Sequence, residues 1–378
     1  MITERMKTHV LYVIDGMDFG GGERVFLQLA IGLKNHYHIS TATTGGMIFE
    51  RHLHSSGIQS YPVPMASQFF FKPVCRLVHI IKKNKIDFIH SQGSRADFFA
   101  RIAGSIAGVP YNVCTIAAPI EKFDIGIIHK GIYRFLDRLT ENCVDRFIVV
   151  SDALEKLLTV KRKIFGKRVV KIYNGIELQK YHSSGTFDNL RIELGIPGNA
   201  FLIGAIGRII PSKGLEYLIE AMKVILVTHP EARLIIVGEG PVKDDLITKC
   251  KIMGIKDQVI FSGFIDDIRK VLVSIDLLAF PSLSEGFPMT ILEAMAMEKP
   301  IIATCIDGVM EQISDAVEGL LVPPGNSEAL MQAMKKVMED RALACTLGSA
   351  ARRKVENEFT VEKMIDATRH VYQSLCPN

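Results

Sequence analysis

Twice along this chain a short, almost wholly apolar run ends in a glycine-bearing turn that opens into a helical pattern. Val10-Leu11-Tyr12-Val13-Ile14 leads to Gly20-Gly21-Gly22-Glu23-Arg24, after which Val25, Leu29 and Leu33 share one helix face. Phe201-Leu202-Ile203-Gly204-Ala205-Ile206-Gly207 leads through Arg208, Pro211, Lys213 and Gly214 to a helix beginning near Leu215. Runs this short and apolar fit strands buried on both faces, as in a parallel sheet covered by helices. The same alternation predicts strands over 38–43, 86–90, 111–116 and 146–150. In the second half it predicts them over 234–237, 259–261, 276–280, 300–304 and 319–322. Helices are expected over 95–107, with Ala96, Ala100, Ala103 and Ala107 at close-packing positions, and over 153–158 behind a Ser151-Asp152 cap. Further helices are expected over 329–338 and 361–375. The reading is α/β, with two Rossmann-like doubly wound domains. A chain of 378 residues is long for one core and suits two. The Asn174-Gly175 turn and the polar stretch after Lys180 put the boundary near 180–195. The expected domains are 1–185 and 186–360, followed by a last helix in 361–378.

Composition narrows the setting. The seven cysteines are scattered without a C-x-x-C, which argues for a reducing compartment and against a disulfide frame or zinc site. No apolar segment precedes the first strand and none reaches membrane-spanning length, so the expectation is a cytoplasmic protein. Charge is uneven: residues 1–185 hold 25 Lys and Arg against 15 Asp and Glu, the remainder 20 against 26. The densest basic clusters are Lys161-Arg162-Lys163 with Lys167-Arg168, and Lys82-Lys83 with Lys85. They suit an anionic acceptor or the inner face of an anionic membrane, or form a plain solvated surface. Segment 121–141 mixes Ile125, Ile127 and Ile128 with Lys122, Lys130, Arg134 and Arg138, and is either the amphipathic candidate for a membrane or lipid-acceptor surface or a helix packed on the first domain. Nucleic acid is disfavoured, because no aromatic side chains interleave these clusters.

The chemistry concentrates in Pro281-Ser282-Leu283-Ser284-Glu285-Gly286-Phe287-Pro288-Met289-Thr290-Ile291-Leu292-Glu293-Ala294. Pro288 suits a first helical position, leaving the N–H groups of Gly286, Phe287, Met289 and Thr290 to meet a phosphate at a positive helix end. Glu285 and Glu293 would repel that phosphate unless they grip hydroxyls on either side of it. The alternative is a plain strand–loop–helix with Glu285 solvated and Glu293 exposed. Arg208 and Lys213, between a strand end and a helix start, are placed to hold a diphosphate by fork and point charge. The Gly20-Gly21-Gly22 turn is not G-x-G-x-x-G, and no acidic residue follows as a ribose hook, so a dinucleotide site there is weak.

Glu285 and Glu293, with seven residues between them including Gly286-Phe287-Pro288, resemble the E-x7-E motif of family 4 retaining glycosyltransferases. Gly207-Arg208 with Lys213-Gly214 is similar to that family's G-R-x(4)-K-G element, and Asn174-Gly175-Ile176-Glu177 to its N-G-[IV]-[DE] segment. The resemblance covers nearly the whole chain and is strongest over 201–325. It implies a GT-B fold, two domains facing across a cleft, with the final helix crossing back to the first. The activity implied is transfer of a sugar from a nucleoside diphosphate donor, taken as UDP-linked, to a glycan or lipid-linked acceptor of surface polysaccharide, with retention. Arg208, Lys213 and Glu285 carry the implied catalytic role, Glu285 on the sugar's 3-hydroxyl and Glu293 on the ribose. Donor contacts are implied at Gly21, Gly22, Gly207, Gly238, Phe264, Ile265, Gly286, Phe287, Pro288, Met289 and Thr290. No cofactor and no metal are implied. The first domain is implied to bind the acceptor.

Two places depart from the family pattern. Ala117 stands where a histidine is usual after V-P-x-x-x-T, with His90, His129 or Glu121 as candidate substitutes. Ile306-Asp307-Gly308-Val309-Met310 stands where G-G-x-P is usual. Alternatives are a sugar-nucleotide epimerase on the same architecture, which the E-x7-E disfavours, and a non-catalytic sugar-nucleotide-binding protein, which Ala117 allows. A phosphorylase is disfavoured by the lack of a cofactor-lysine segment.

Overall fold

In the computed structural model the described residues are 7–16, 20–65, 71–118, 131, 135, 137–181 and 190–376. The chain divides into two compact units, Met1–Gly175 with Val361–Asn378, and Ile176–Thr360. The division falls earlier than the polar stretch after Lys180, because Ile176 is fully buried and its N–H bonds the Phe359 carbonyl at 2.9 Å. Polar composition marked surface there, while backbone pairing fixed the junction.

The first unit carries β1 (His9–Ile14), β2 (His38–Thr43), β3 (Gln59–Pro62), β4 (Phe88–Gln92), β5 (Tyr111–Ile116), β6 (Arg146–Val149) and β7 (Val169–Lys171). All pair parallel in the order β3-β2-β1-β4-β5-β6-β7. The second unit carries β8 (Leu202–Ile206), β9 (Arg233–Val237), β10 (Val259–Gly263), β11 (Leu277–Phe280), β12 (Ile301–Thr304) and β13 (Leu320–Val322). Its order is β10-β9-β8-β11-β12-β13, again all parallel. Each sheet grows outward from its first strand on one side and resumes on the other. This creates a switch point, between β1 and β4 and between β8 and β11, where ligands of doubly wound folds bind at the carboxyl strand ends.

The cores follow the apolar runs. In the first unit Leu11, Ile89, Leu77 and Phe99 pack between the sheet and the helices Phe71–Asn84 and Ser94–Ala107. In the second, Ile203, Leu234, Met222 and Met334 do so beneath Leu215–Thr228 and Ser327–Glu339. The edge strand β3 had no apolar signature: Gln59 and Pro62 are exposed, and a proline is tolerated at an edge. The helix expected over 153–158 spans Asp152–Lys156 and runs into a wider turn, Leu157–Lys161. Ser151 accepts the Leu154 N–H at its start. Helices Met47–Ser55, Lys243–Ile252 and Arg341–Glu358 were not anticipated.

The final helix, Val361–Leu375, packs in the first unit against Gly21–Leu33. A Cβ on Gly32 would stand 2.2 Å from Ile365 Cδ1, so the glycine admits the isoleucine. Further along, the Tyr372 hydroxyl lies 2.5 Å from His90 Nδ1 and donates to Tyr12 at 3.1 Å, all three buried. His90 Nε2 meets Thr115 Oγ1 at 2.7 Å. Of segment 121–141, residues 121–130, with His129 and Glu121, lie outside the described residues.

Candidate active site

Every strand of the second unit from β10 to β12 sends a loop off its carboxyl end, and glycines let these loops close on one another. Gly207 (φ +149°) and Gly238 (φ +138°) stand side by side: a Cβ on Gly238 would be 2.0 Å from the Gly207 carbonyl oxygen. The pairing of β8 and β9 continues into the loops through Gly207 N–H to Val237 and Ile209 N–H to Glu239, at 3.0 and 2.8 Å. Gly238 N–H in turn bonds the Gly263 carbonyl at 2.8 Å, placing Phe264 and Ile265 next along the rim. Phe264 is exposed and Ile265 half-buried.

The two loops that diverge at the switch point are pinned together. A Cβ on Gly214 (φ +61°) would stand 2.2 Å from the Pro281 carbonyl oxygen, and Leu283 N–H donates to the Ser212 carbonyl at 2.7 Å. This contact sets the Pro211–Lys213 turn beside residues 281–285. The Lys213 ammonium consequently ion-pairs with the Glu285 carboxylate, and sits 5.5 Å from the Phe280 ring centroid. Arg208, Lys213, Phe280 and Ser282 line one small cavity between the carboxyl ends of β8 and β11. Arg208 is exposed and makes no ion pair among the described residues.

The helix after this loop is Met289–Ala296, and Pro288 is its N-cap rather than its first residue, with φ −70° and ψ 126°. The ring fixes φ without entering the helix, so the free N–H groups begin at Met289, and Gly286 and Phe287 belong to the approach loop. That loop is braced from β12: a Cβ on Gly308 would stand 1.7 Å from the Gly286 carbonyl oxygen, and Gln312 Nε2 donates to the Pro288 carbonyl at 3.0 Å. Glu293 is buried, and the Tyr181 hydroxyl donates to its Oε1 at 3.0 Å. Tyr181 is held in turn by Arg352, which donates to its carbonyl at 2.9 Å. The structure thus brings Arg208, Lys213 and Glu285 to one switch point, with Gly207, Gly238 and residues 286–290 on adjoining loops. Glu293 lies deeper, under a tyrosine that motif spacing gave no reason to notice.

Gly21 and Gly22 belong to the other unit, as the first turn of Gly21–Leu33. Glu23 accepts the Gly20 N–H at 3.0 Å, and Gly22 leaves room for the Gln92 amide, 2.9 Å from where a Cβ would be. A pocket opens here at the carboxyl ends of β1, β4 and β5, lined by Asp15, Glu23, Gln92, Asp97, Ala117 and Arg162 among others. Sequence reasoning missed Gln92 and Asp97; an acid among Ala96, Ala100 and Ala103 on a close-packed helix was the available signal. Burial raises the Asp97 carboxyl to about 6, with the Arg101 guanidinium opposing. His90 cannot replace the histidine missing at Ala117. Its ring is buried, both nitrogens are engaged, and desolvation lowers its pKa to about 3.

Comparison with known proteins agrees with this geometry. Residues 186–354 match the family model described as Glycosyl transferases group 1, and residues 19–180 match Glycosyltransferase Family 4. An Escherichia coli relative, UDP-Gal:alpha-D-GlcNAc-diphosphoundecaprenol alpha-1,3-galactosyltransferase, is 27% identical over 81% of this chain and 80% of its own. The Staphylococcus aureus capsular polysaccharide biosynthesis glycosyltransferase CapM is 23% identical over 80% of each chain. Among solved structures, Anabaena Alr3699/HepE in complex with UDP and glucose superposes with a TM-score of 0.86 at 24% identity. The match covers 97% of this chain and 100% of that one. Such neighbours share the GT-B fold of paired Rossmann-like domains. With both halves matched and the two switch points built as described, the chain belongs to glycosyltransferase family 4 and is a glycosyltransferase.

Proposed function

We propose that this glycosyltransferase moves a hexose from a UDP-sugar, with retention, to a hydroxyl of a glycan or lipid-linked acceptor in surface polysaccharide synthesis. The observation that carries the reading is the convergence of Arg208, Lys213 and Glu285 at the β8/β11 switch point. Arg208 and Lys213 face the charge that grows on the departing diphosphate, aided by the N–H groups at the start of Met289–Ala296. These groups are already in place before reaction, which is what makes such stabilisation effective. They also make a metal unnecessary. Glu285 takes the donor's 3-hydroxyl and Glu293 the ribose. The bond from the anomeric carbon to the phosphate oxygen breaks as the acceptor oxygen bonds on the same face, and the acceptor proton passes to the leaving phosphate. The relatives support the donor and acceptor classes, since one is named for UDP-Gal and a diphosphoundecaprenol acceptor and another was crystallised with UDP and glucose.

An exposed surface of the first unit favours acceptors presented on a membrane. Phe135, Leu139, Val160 and Phe165 are 66–70% exposed, beside exposed Arg138, Lys161, Lys163 and Lys167. Arg162 joins the two segments by pairing with Asp137 and Glu141. Apolar side chains among cations fit an anionic lipid surface. No helix among the described residues is long and apolar enough to cross a membrane.

Incubation with a panel of nucleoside diphosphate sugars and lipid-linked acceptors, with the product anomer read by NMR, tests the proposal. Transfer with an α-linked product from an α-linked donor is expected, and Glu285→Ala should abolish it in a folded protein. Inversion at C2 of free donor would mark an epimerase, and UDP binding without any turnover a binding protein.

A further inference from the structure

The basic first half of the sequence pointed to an anionic acceptor, yet among the described residues its cations do not gather at the β1/β4 switch point. Among the described residues, the pocket at the β1/β4 switch point is lined by Asp15, Glu23, Asp97 and Asp137 against one cation, Arg162. Arg162 is consumed by Asp137 and Glu141. Arg95 stands 3.5 Å from Asp15. Two side chains that line the pocket also carry unused acceptors. Asp97, 3% exposed, and Gln92, 5% exposed, each hold a buried oxygen, Oδ1 and Oε1, without a hydrogen-bond partner among the described residues. Buried acceptors left unpaired are costly, and a ligand that supplies hydrogens recovers that cost. Ala117 and Ala118 line the pocket without a side-chain donor.

We propose that this pocket receives a sugar ring of the acceptor that is uncharged or bears an amine, with Asp97 and Gln92 taking its hydroxyl or ammonium hydrogens, and that it excludes sugars bearing a carboxylate. The inference rests on the glycosyltransferase reading and names its acceptor class. An anionic ring would meet the carboxylates of Asp15, Glu23, Asp97 and Asp137, with no unpaired cation among the described lining residues to answer it. Any phosphate carried by the acceptor must therefore lie outside this pocket, toward the exposed cations of the same unit.

The test uses the full chain and three simple probes, methyl α-glucoside, methyl α-glucosaminide and methyl α-glucuronide, followed by saturation-transfer NMR. The first two should bind at least about tenfold more tightly than the glucuronide. Asp97→Asn and, separately, Gln92→Leu should weaken binding of the first two roughly fivefold or more, each losing one charged or neutral hydrogen bond. The thermal shift produced by UDP should be unchanged in both variants, which also shows that they fold. Equal or tighter binding of the glucuronide, binding by none of the three, or undiminished binding in both variants overturns the proposal. Loss of the glycosyltransferase reading would appear differently, as no UDP shift and no transfer in the wild type whatever the probes do.

Discussion

Lys213 reaches across the β8/β11 switch point to pair with Glu285, so the cation expected to meet the diphosphate and the acid expected to hold the sugar are fixed by one contact. Each partner is only about one-fifth exposed or less, at 20% and 14%. Substrate must enter between groups that already position each other. Lys213→Ala should therefore lower kcat by roughly a hundredfold to a thousandfold, in line with removing one preorganised stabilising group. Glu285→Ala should add little once Lys213 is gone, because the two act as a unit. Additive losses in the double variant would show that the contact has no functional coupling.

Gly308 tests whether the second departure from the family pattern is structural. A methyl group there would collide with the Gly286 carbonyl, and backbone cannot rotate away as a side-chain end would. Gly308→Ala should displace residues 285–288 and reduce kcat/KM by about a hundredfold, the typical cost of misplacing reacting groups by an ångström. Unchanged kinetics would mean the loop relaxes freely.

Tyr181 covers Glu293. If Glu293 is to meet ribose, the tyrosine hydroxyl competes for the same carboxylate. Tyr181→Phe should change donor KM severalfold while leaving kcat nearly constant, since the ribose lies away from the reacting carbon. An effect on kcat alone would remove Glu293 from the donor site.

His90 makes the fold acid-sensitive. Its folded pKa is lowered to about 3 by burial, from an ordinary 6.5, so the unfolded chain binds the extra proton between those values. Stability should fall as pH drops below about 6.5, by about 1.4 kcal/mol per pH unit for this group. His90→Gln should flatten the decline of Tm between neutral pH and pH 5; an equal decline would place the sensitivity elsewhere.

Asp97 has the opposite sign. Its folded pKa is raised to about 6 from 3.8, so the native state holds the proton more tightly and stability falls as pH rises from about 4 through 6. Asp97→Asn should raise Tm at neutral pH and leave it little changed near pH 4. A lower Tm at both pH values would show that its charge is needed against Arg101.

Most of the fold could be read from sequence because parallel strands covered on both faces are written as bare apolar runs; β2 and β5 end where their residues predicted. β3 could not be read, since its Gln59-Ser60-Tyr61-Pro62 is half-wet. That Arg208, Lys213 and Glu285 would come together was legible because each lies on a loop with its own local spacing, although Pro288 proved to cap its helix rather than begin it. Gln92, Asp97 and Tyr181 were not, because the neighbours that give them meaning come from distant segments of their own unit. His90 looked available from its position alone, and only the arrival of Tyr372 shows that it is spoken for.

That arrival also dictates an order of events during synthesis. The first unit's sheet precedes the second unit along the chain, but the hydroxyl that closes over Tyr12 and His90 follows it. Until then the nascent first half waits with an open apolar flank while the whole second half is translated, a window in which chaperones have something to hold.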